Sequence, residues 1–317
     1  MGDETKVAGV GPCVRCGAPA VALVRSTGDH LCAAHFVASV ERRVQETIER
    51  TGMIRDGDCI AVGLSGGKDS SVLLYLLSHL LRDRPAVRLV AITIDEGIAG
   101  YREETMKAAR SLAADLGVEQ IVVSFEDAFG SSLDAFLRKP ADPHPCTLCG
   151  VLRRRALQTA ARRAGATKLA TGHSLDDEAE AALMNVLNGD LKRIVRTGIP
   201  GDAFVPRIKP LGEVPEKEVT LYAVVQGLFL PLPECPYAGR ALRSEARGIL
   251  SSLEYRHPGT TVQFMEGYTT LREEVARCLE EKGDLEEGGF GRCEECGEPA
   301  TGRRCQACAL LASLAGE

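Results

Sequence analysis

The chain has 317 residues, of which 44% are hydrophobic and 26% are charged, and its formal net charge is −6. This length allows one large core with small appendages, and the composition is that of a soluble protein. No apolar run approaches the length that spans a bilayer, which argues against a transmembrane protein. The acidic balance excludes a uniformly basic RNA-coating protein but allows a local basic patch. Because the N-terminus has no secretory signal pattern, we expect a cytoplasmic protein.

The chain begins with a pair of metal-binding knuckles. Cys13 and Cys16 are followed by Cys32 and His35, and paired CxxC spacings return near the C-terminus. Twelve cysteines in a chain without a secretory signal favour metal binding over disulfides. Four soft or borderline ligands in two knuckles suit tetrahedral Zn²⁺ without an open position, so the site is structural. Metal binding would supply the folding energy that so short a segment cannot obtain from an apolar core.

The next elements alternate between helix and strand. Apolar residues at helical spacing predict a helix over 36–50, which Thr51-Gly52 ends. Four apolar runs predict strands at 59–64, 87–94, 120–124 and 168–171. The segments between and after them predict helices at 70–82, 102–116, 149–164 and 175–187. This alternation indicates a parallel sheet covered on both faces, with ligands beyond the carboxyl ends of its strands.

The segment Ser65-Gly66-Gly67-Lys68-Asp69-Ser70 joins the first of these strands to its helix. Glycines let backbone N–H groups approach phosphate oxygens, and a helix start adds its positive dipole end. The pattern is not a Walker A loop, which has four residues between its first Gly and Gly-Lys. It resembles the SGGxDS loop of PP-loop ATP pyrophosphatases, which cleave ATP between the α- and β-phosphates and leave an adenylate on a substrate oxygen.

Three further cysteines lie in proline-framed segments. Cys146 and Cys149 follow one Pro-rich stretch and Cys235 lies in another, so we expect surface loops with a functional role. Three thiolates can hold a 4Fe–4S cluster and leave one iron without a protein ligand. Alternatively, Cys146 or Cys149 carries a persulfide that Cys235 resolves as a disulfide. A third zinc site would need a fourth ligand, for which the sequence offers His144 alone.

The segment after Cys149 is strongly basic, and no acidic residue interrupts it between residues 151 and 168. Its basic residues are Arg153, Arg154, Arg155, Arg162, Arg163 and Lys168. Most such runs are solvated helix faces. The absence of interleaved acids makes a phosphate-facing surface the competing interpretation.

A second candidate nucleotide site starts at His173, where the fourth predicted strand ends. Ser174 can cap the next helix, and Asp176 and Glu178 suit its positive end. Asp177 is the candidate acid or base, or a ligand of Mg²⁺. His173 can contact phosphate or serve as a hydrogen-bonded loop histidine.

The rest of the chain predicts two further helices and a second metal module. The helices are expected over 214–227 and within 256–283, and a Gly-rich linker over 283–291 follows. Two CxxC knuckles then supply Cys293, Cys296, Cys305 and Cys308. As at the N-terminus, these ligands predict a structural Zn²⁺.

Together these motifs resemble the TtuA/Ncs-type branch of the tRNA 2-thiolation enzymes, in the TtcA/TtuA superfamily, over almost the whole chain. The resemblance rests on SGGKDS, Pro145-Cys146-Thr-Leu-Cys149-Gly150 and Glu234-Cys235-Pro236-Tyr237 between two zinc ribbons. It implies an α/β fold with a parallel-sheet PP-loop ATP pyrophosphatase domain, Rossmann-like and of the adenine nucleotide alpha hydrolase kind. The implied domains are an N-terminal zinc ribbon at 1–38, the PP-loop thiolation domain at 39–285 and a C-terminal zinc ribbon at 286–317.

The resemblance also implies the site residues. Cys146, Cys149 and Cys235 would hold an oxygen-sensitive 4Fe–4S cluster and, with Asp177, act in catalysis. ATP and Mg²⁺ would be bound in a site formed by Gly63, Ser65, Gly66, Gly67, Lys68, Asp69, Ser70, Ile94, Arg153 and Gly172. Two structural Zn²⁺ ions would be held by Cys13, Cys16, Cys32 and His35, and by Cys293, Cys296, Cys305 and Cys308.

The implied activity is ATP-dependent 2-thiolation of a tRNA uridine, at the wobble position or in the T-loop. Adenylation of the C2 oxygen creates a good leaving group, the glycine loop stabilises pyrophosphate, and a sulfur nucleophile expels AMP. Implied partners are tRNA, a ubiquitin-like thiocarboxylated carrier or inorganic sulfide as sulfur donor, and a second copy in a homodimer. The basic helix, with Lys192, Arg193 and Arg196, would guide tRNA phosphates; no membrane partner is expected.

Alternative functions remain open at this point. The same adenylation can serve persulfide chemistry at the cysteines, or a nitrogen nucleophile as in amidating synthetases and lysidine formation. Thiolation of a tRNA cytidine is a further rival, but that branch typically lacks the zinc ribbons. A non-enzymatic ATP-binding, zinc-ribbon RNA scaffold would keep its function when Asp177 or Cys149 is replaced.

Overall fold

The computed structural model describes residues 11–25, 27–137, 144–189, 194–195, 204–237, 242–282 and 291–315. Its strands are β1 (Ala22–Val24), β2 (Asp29–Leu31), β3 (Cys59–Gly63), β4 (Arg88–Asp95), β5 (Glu119–Ser124), β6 (Lys168–Ala170), β7 (Arg207–Ile208), β8 (Gly291–Arg292) and β9 (Pro299–Ala300). The first helices are α1 (Ala33–Thr51), α2 (Lys68–Leu80), α3 (Arg102–Asp115), α4 (Phe125–Phe129), α5 (Leu133–Phe136) and α6 (Pro145–Arg163). They are followed by α7 (Leu175–Leu187), α8 (Glu216–Val225), α9 (Leu242–Arg256), α10 (Thr260–Glu281) and α11 (Gln306–Ala315).

Five strands form one parallel sheet in the order β5-β4-β3-β6-β7, as the strand–helix alternation predicts. Side chains alternate between the faces of a strand. Ile60 and Val62 of β3 therefore pack with α1, α2 and α8 on one face, while Cys59 and Ala61 pack with α6 on the other. Because both faces are covered, β3 is apolar throughout, and its polar continuation begins only where the strand leaves the sheet.

The predicted elements are observed with ends shifted by a few residues, except at the cysteine segment. Helix α6 begins at Pro145 rather than near residue 149, so Cys146 and Cys149 lie in helical turns and not in a loop. Proline at the first helical position is compatible with the helix, because its missing N–H has no intrahelical partner there. The expectation of a loop is wrong for these two cysteines, whereas Cys235 does lie outside helices and strands.

The sequence analysis predicted neither the short elements of the structure nor one long helix; strand β7 and helix α9 are the two that matter for the site. Strand β7 has two residues, too few to show an alternating pattern. Helix α9 spans 15 residues but is rich in Arg, Ser and Glu, so its apolar stripe is weak. Both elements lie close to the candidate site described below.

The terminal modules are small antiparallel hairpins, β1–β2 and β8–β9, attached to long helices. The predicted boundary between residues 38 and 39 falls inside α1, so the N-terminal module shares this helix with the central domain. The predicted boundary between residues 285 and 286 lies outside the described residues, as does most of the predicted linker. Among the described helices, none is long and apolar enough to cross a bilayer.

Candidate functional site

The phosphate loop closes on itself through the two serines at its ends. The Ser65 N–H donates to Ser70 Oγ (3.1 Å), and Ser70 Oγ donates to the Gly67 carbonyl (2.9 Å). The two hydroxyl oxygens are 3.0 Å apart. Helix α2 starts directly after Gly67, so its first N–H groups have no intrahelical acceptor and can bind an anion.

Two glycines allow backbones to approach closely at this loop. Gly66 has φ +89°, and a Cβ there would lie 1.9 Å from the carbonyl oxygen of Thr105 on α3. A Cβ on Gly172 would lie 2.9 Å from the backbone oxygen of Asp69. Gly172, predicted as a nucleotide contact, thus also lets the loop after β6 pack against the start of α2.

A cavity of about 320 Å³ opens over the loop, at the carboxyl ends of β3, β4 and β6. The predicted site residues that line it are Gly63, Ser65, Gly67, Asp69, Ser70, Ile94, Arg153, Gly172 and Asp177. Gly66 and Lys68 are not in its lining. Instead, Lys68 Nζ forms ion pairs with Asp69 (3.0 Å) and with Glu216 on α8 (2.8 Å). Glu216 was missed by the sequence analysis, since nothing local links it to Lys68.

The acidic residues at the start of α7 have distinct partners. Asp177 completes a capping box with Ser174, whose N–H donates to Asp177 Oδ2 at 3.0 Å. Asp176 accepts from the backbone N–H of Glu216 (2.6 Å), and Glu178 pairs with Lys209 (2.5 Å). The predicted cap at Ser174 is confirmed, and Asp177 both closes it and lines the cavity.

A buried ion pair supports the loop from below. Glu96 and Arg102 are each 4% exposed and 2.8 Å apart. Arg102 also donates to the carbonyls of Ser65 (3.1 Å) and Ile94, at the ends of β3 and β4. Arg153 reaches Glu96 at 3.7 Å from the solvent side. The sequence did not reveal this pair, because a buried charge disturbs the apolar pattern without identifying its partner.

A second group of charges surrounds Glu180, which is 1% exposed. Two arginines of α9 pair with it, Arg247 at 2.6 Å and Arg243 at 3.3 Å. Arg247 Nη2 also lies 3.8 Å from Asp177 Oδ1. The only sequence signal was the four-residue spacing of the arginines, which is meaningful once α9 is known to be helical.

The three candidate cysteines converge at the start of α6. Cys146 and Cys149 are three residues apart, so they lie on one helix face. The Cys146 thiol lies 3.3 Å from the carbonyl oxygen of Tyr237, two residues after Cys235. Burial raises the pKa of Cys149 to about 11; Arg153 lowers it, whereas Glu96, Cys235 and Cys146 add to the increase.

The donor set is compatible with an iron–sulfur cluster. Cys149 and Cys235 are partly buried and pack against the same apolar cluster. Among the described residues, the groups whose ligand atoms all lie within 4.8 Å of one another are the two terminal ones, and these three thiols are not such a group. A single tetrahedral ion would need closer sulfurs, whereas in a 4Fe–4S cluster each thiolate binds a different iron.

The terminal ligands do form compact groups. Cys13 and Cys32 each lie 3.3 Å from His35 Nδ1. At the other end, the sulfurs of Cys296 and Cys305 are 3.7 Å apart. Backbone N–H groups, that of Cys305 first, lower the pKa of Cys293 to about 6, which favours the thiolate that zinc requires. Each group therefore offers the four ligands predicted for a structural site.

The basic helix divides its arginines between several partners. Arg155 lies 3.1 Å from the sulfur of Cys305, and Arg162 pairs with Glu298 beside the C-terminal knuckles. These two arginines thus connect the C-terminal module to α6, although Arg162 stays exposed to solvent. Of the other predicted RNA-guiding residues, Lys192, Arg193 and Arg196 lie outside the described residues.

A larger cavity of about 1000 Å³ adjoins the first and is lined by Cys146. The two cavities share Arg153, Leu157, Thr171 and His173. A ligand over the phosphate loop and a ligand in the larger cavity would therefore meet at this common wall.

His173 lies in the wall shared by the two cavities, and its lowered pKa keeps the imidazole neutral near pH 7. Its Nδ1 lies 2.9 Å from Thr171 Oγ1. Burial lowers the pKa of His173 to about 4, against the opposing effect of Asp177. Arg207 and Lys209 contribute to the decrease.

We expect this histidine to make the fold sensitive to acid. The pKa of His173 is lower in the folded chain than in the unfolded chain. The unfolded chain therefore binds a proton at this histidine below pH ~6.5, whereas the folded chain binds it only near pH 4. The free energy of unfolding therefore falls as the pH decreases through this window, by about 2 kcal/mol at pH 5. Urea unfolding at pH 7.5 and pH 5 should show a smaller pH effect in His173→Gln. Equal pH effects in both proteins would contradict this assignment.

The chain is similar along most of its length to known tRNA 2-thiolation proteins. A PP-loop domain family matches residues 37–229, and the family described as "2-thiouridine synthetase TtuA, N-terminal LIM domain" matches residues 13–37. The tRNA 2-thiolation protein NcsA of Haloferax volcanii is 42% identical over 319 residues, which cover 95% of this chain and 98% of that protein. Cytoplasmic tRNA 2-thiolation protein 1 of Mus musculus is 39% identical over 312 residues, 95% of this chain and 72% of the mouse protein.

A solved structure shows the same architecture. It is the U34-tRNA thiolase NcsA from Methanococcus maripaludis with its 4Fe-4S cluster, which aligns with a TM-score of 0.82 and 34% identity over 96% of each chain. The parallel sheet with its phosphate loop, and the two terminal cysteine groups, are thus set in a fold shared along nearly the full length. This chain belongs to the NcsA/TtuA-type family of tRNA 2-thiolation proteins.

Proposed function

We propose that this chain is an ATP-dependent tRNA-uridine 2-sulfurtransferase acting on the wobble uridine. The C2 oxygen of the uridine attacks the α-phosphate of ATP and releases pyrophosphate. A sulfur nucleophile then adds at C2, and the C2–O bond breaks with AMP as the leaving group. The wobble position is preferred over the T-loop because the Methanococcus maripaludis relative is described as a U34-tRNA thiolase.

One observation carries the proposal: the phosphate-loop cavity and the cavity lined by Cys146 share a wall. Adenylation needs the uridine beside the α-phosphate, and sulfur transfer needs the same carbon beside the thiols. A common wall at Arg153 and His173 allows both steps without moving the nucleotide far.

The residues around the loop have separable roles in this reaction. Backbone N–H groups at the start of α2 hold the β- and γ-phosphates and stabilise the departing pyrophosphate. Arg153 places a positive charge beside the α-phosphate. Asp69 and Asp177 face the cavity and are suited to Mg²⁺, which commonly binds through one or two carboxylates and substrate phosphates. Ile94, which lines the cavity, would offer an apolar contact to the adenine.

The three thiols of Cys146, Cys149 and Cys235 would hold the cluster. Bound there, a 4Fe–4S cluster would supply one iron without a protein ligand, at which the transferred sulfur can be held. The protein's own contribution is to keep Cys149 and Cys235 partly buried. It also fixes Cys146 in the first turn of α6.

The remaining assignments extend this proposal. The two terminal groups would each hold a structural Zn²⁺. The proposed boundaries at residues 38 and 285 would delimit their modules, with α1 shared between the first module and the catalytic domain. A homodimer, a cytoplasmic location, and either a ubiquitin-like carrier or inorganic sulfide as sulfur donor follow from the family resemblance.

The test is a reaction with defined components. The protein is purified without oxygen, reconstituted with iron and sulfide, and incubated with unmodified tRNA, ATP, Mg²⁺ and sulfide. We expect 2-thiouridine by nucleoside mass spectrometry, with one AMP and one pyrophosphate released per thiouridine formed. Iron, sulfide and zinc are measured in the same sample.

Each alternative predicts a different result. If iron-free protein forms thiouridine in air, sulfur transfer depends on persulfide chemistry at the cysteines and not on a cluster. AMP release that depends on ammonia and gives no thiouridine would indicate a nitrogen nucleophile. Tight tRNA and ATP binding without AMP release would indicate a scaffold and overturn the proposal.

A further inference from the structure

The larger cavity has a wall whose chemistry the proposed reaction does not yet use. It lies where α6, α7, β7 and the C-terminal knuckles meet. Its volume of about 1000 Å³ is at the upper end of the roughly 300–1,000 Å³ of small-molecule pockets. ATP already has the smaller cavity over the phosphate loop, so the larger space is available to the second substrate.

The charge of this wall is mainly positive. Arg154 on α6, Arg207 on β7 and Arg243 on α9 all line the cavity. Arg243 is paired with Glu180, whereas Arg154 and Arg207 form no ion pair with a described carboxylate. Among the described lining residues the carboxylate is that of Glu298, which is paired with Arg162.

These cations also crowd one another. The Arg154 side chain is exposed to the cavity, but the surrounding protein still removes part of its water. Desolvation first, and then the charges of Arg207, Arg153 and Arg243, lower the pKa of Arg154. Arginines from three separate elements thus lie close enough to repel one another, and a bound anion would offset this electrostatic repulsion.

We infer that this cavity receives the single-stranded RNA segment carrying the target uridine, and that Arg154 and Arg207 bind the phosphates beside that uridine. The inference rests on the proposed function and names its substrate site. Guanidinium groups bind phosphate oxygens in a bidentate manner. Proteins read RNA sequence mostly in loops whose bases can be splayed out. A base inserted between the two arginines would point toward Thr171 and His173, the wall shared with the ATP cavity.

The test compares RNA binding as a function of salt. The wild-type protein is compared with the Arg154→Gln/Arg207→Gln double variant. The probes are unmodified tRNA and its isolated anticodon stem-loop. Loss of two single-strand phosphate contacts should reduce the slope of log K against log salt by about 1.4. At near-physiological salt this corresponds to binding weakened by about tenfold. ATP affinity, measured separately, should stay unchanged, because neither arginine lines the smaller cavity.

Two further variants control for folding and for net charge. Arg110→Gln removes one charge from an exposed position on α3, outside the cavity, and should leave the salt slope as in wild type. Arg207→Lys keeps the charge and should retain most of the slope while losing the bidentate geometry. Urea unfolding of each variant verifies that the fold is intact.

The outcomes separate this inference from the proposed function. If wild-type protein forms thiouridine but the double variant binds tRNA with an unchanged slope, the RNA site lies elsewhere and the inference is wrong. It is also wrong if the double variant loses only the response to a thiocarboxylated carrier protein. If wild-type protein forms no thiouridine although tRNA binding shows the expected change, the RNA site stands and the proposed chemistry fails.

Discussion

Replacing Gly66 by alanine is expected to weaken ATP binding by about 100-fold or more. The new Cβ would lie 1.9 Å from the Thr105 carbonyl oxygen and 2.7 Å from its carbon, both of them backbone atoms that cannot rotate away. The loop must therefore move relative to α3, and a displacement of about 1 Å can cost roughly 100-fold at a catalytic site. The measurement is ATP affinity by calorimetry, together with AMP release in the tRNA reaction.

Gly57 provides a matched control for this substitution. Its φ is +88°, nearly that of Gly66, but a Cβ there would meet nothing within 4 Å. Gly57→Ala should therefore carry only the cost of the left-handed backbone, about 1–2 kcal/mol in unfolding free energy, with normal ATP affinity. If both variants bind ATP equally well, close packing of the loop against Thr105 does not shape the site.

Replacing Cys149 by serine is expected to abolish thiouridine formation while ATP binding is retained. Cys149 is outside the lining of the phosphate cavity, so nucleotide affinity should not change. The loss of sulfur transfer should exceed the roughly 10–100-fold that outer-shell substitutions cost at metal sites, because the proposed role of Cys149 is that of a direct ligand. Iron content after reconstitution and thiouridine by mass spectrometry are the two readouts.

The control is Cys278→Ser, at an exposed cysteine on α10 away from both cavities. It should keep both iron and activity. A Cys149→Ser protein that still binds a full cluster and thiolates tRNA would refute the assignment of Cys149. Retained activity without iron would also refute it, since the remaining cysteines would then suffice.

Much of the fold follows from local sequence patterns. The strand before Ser65 is apolar on both faces, and the helix after it has its apolar positions at helical spacing, so the strand–loop–helix unit can be read directly. The knuckle glycines Gly17 and Gly297 have φ +75° and +68°, as tight turns require. Where the signal was only proline, as before Cys146, the sequence did not distinguish a loop from a helix start.

The partnerships of charged residues were not accessible in this way. Arg155 and Arg162 belong to a run that reads as a solvated or RNA-binding face, yet they hold the C-terminal module. Lys68, predicted to contact nucleotide, pairs with Glu216, 148 residues further along the chain. Such pairs depend on which helices pack side by side, and a local sequence pattern does not predict this packing.

The sequence by itself supplied the motifs on which the proposed chemistry depends: a phosphate loop at a strand end, two groups of four potential metal ligands and three extra thiols. Each is a short motif whose function depends on residue type and local spacing, so it can be recognised without the fold. The tertiary structure decided how these motifs face one another, with a shared wall between two cavities and arginines from three elements around the larger one. That arrangement arises from long-range packing of helices on the sheet, in which burial and charge select neighbours that are far apart in the chain.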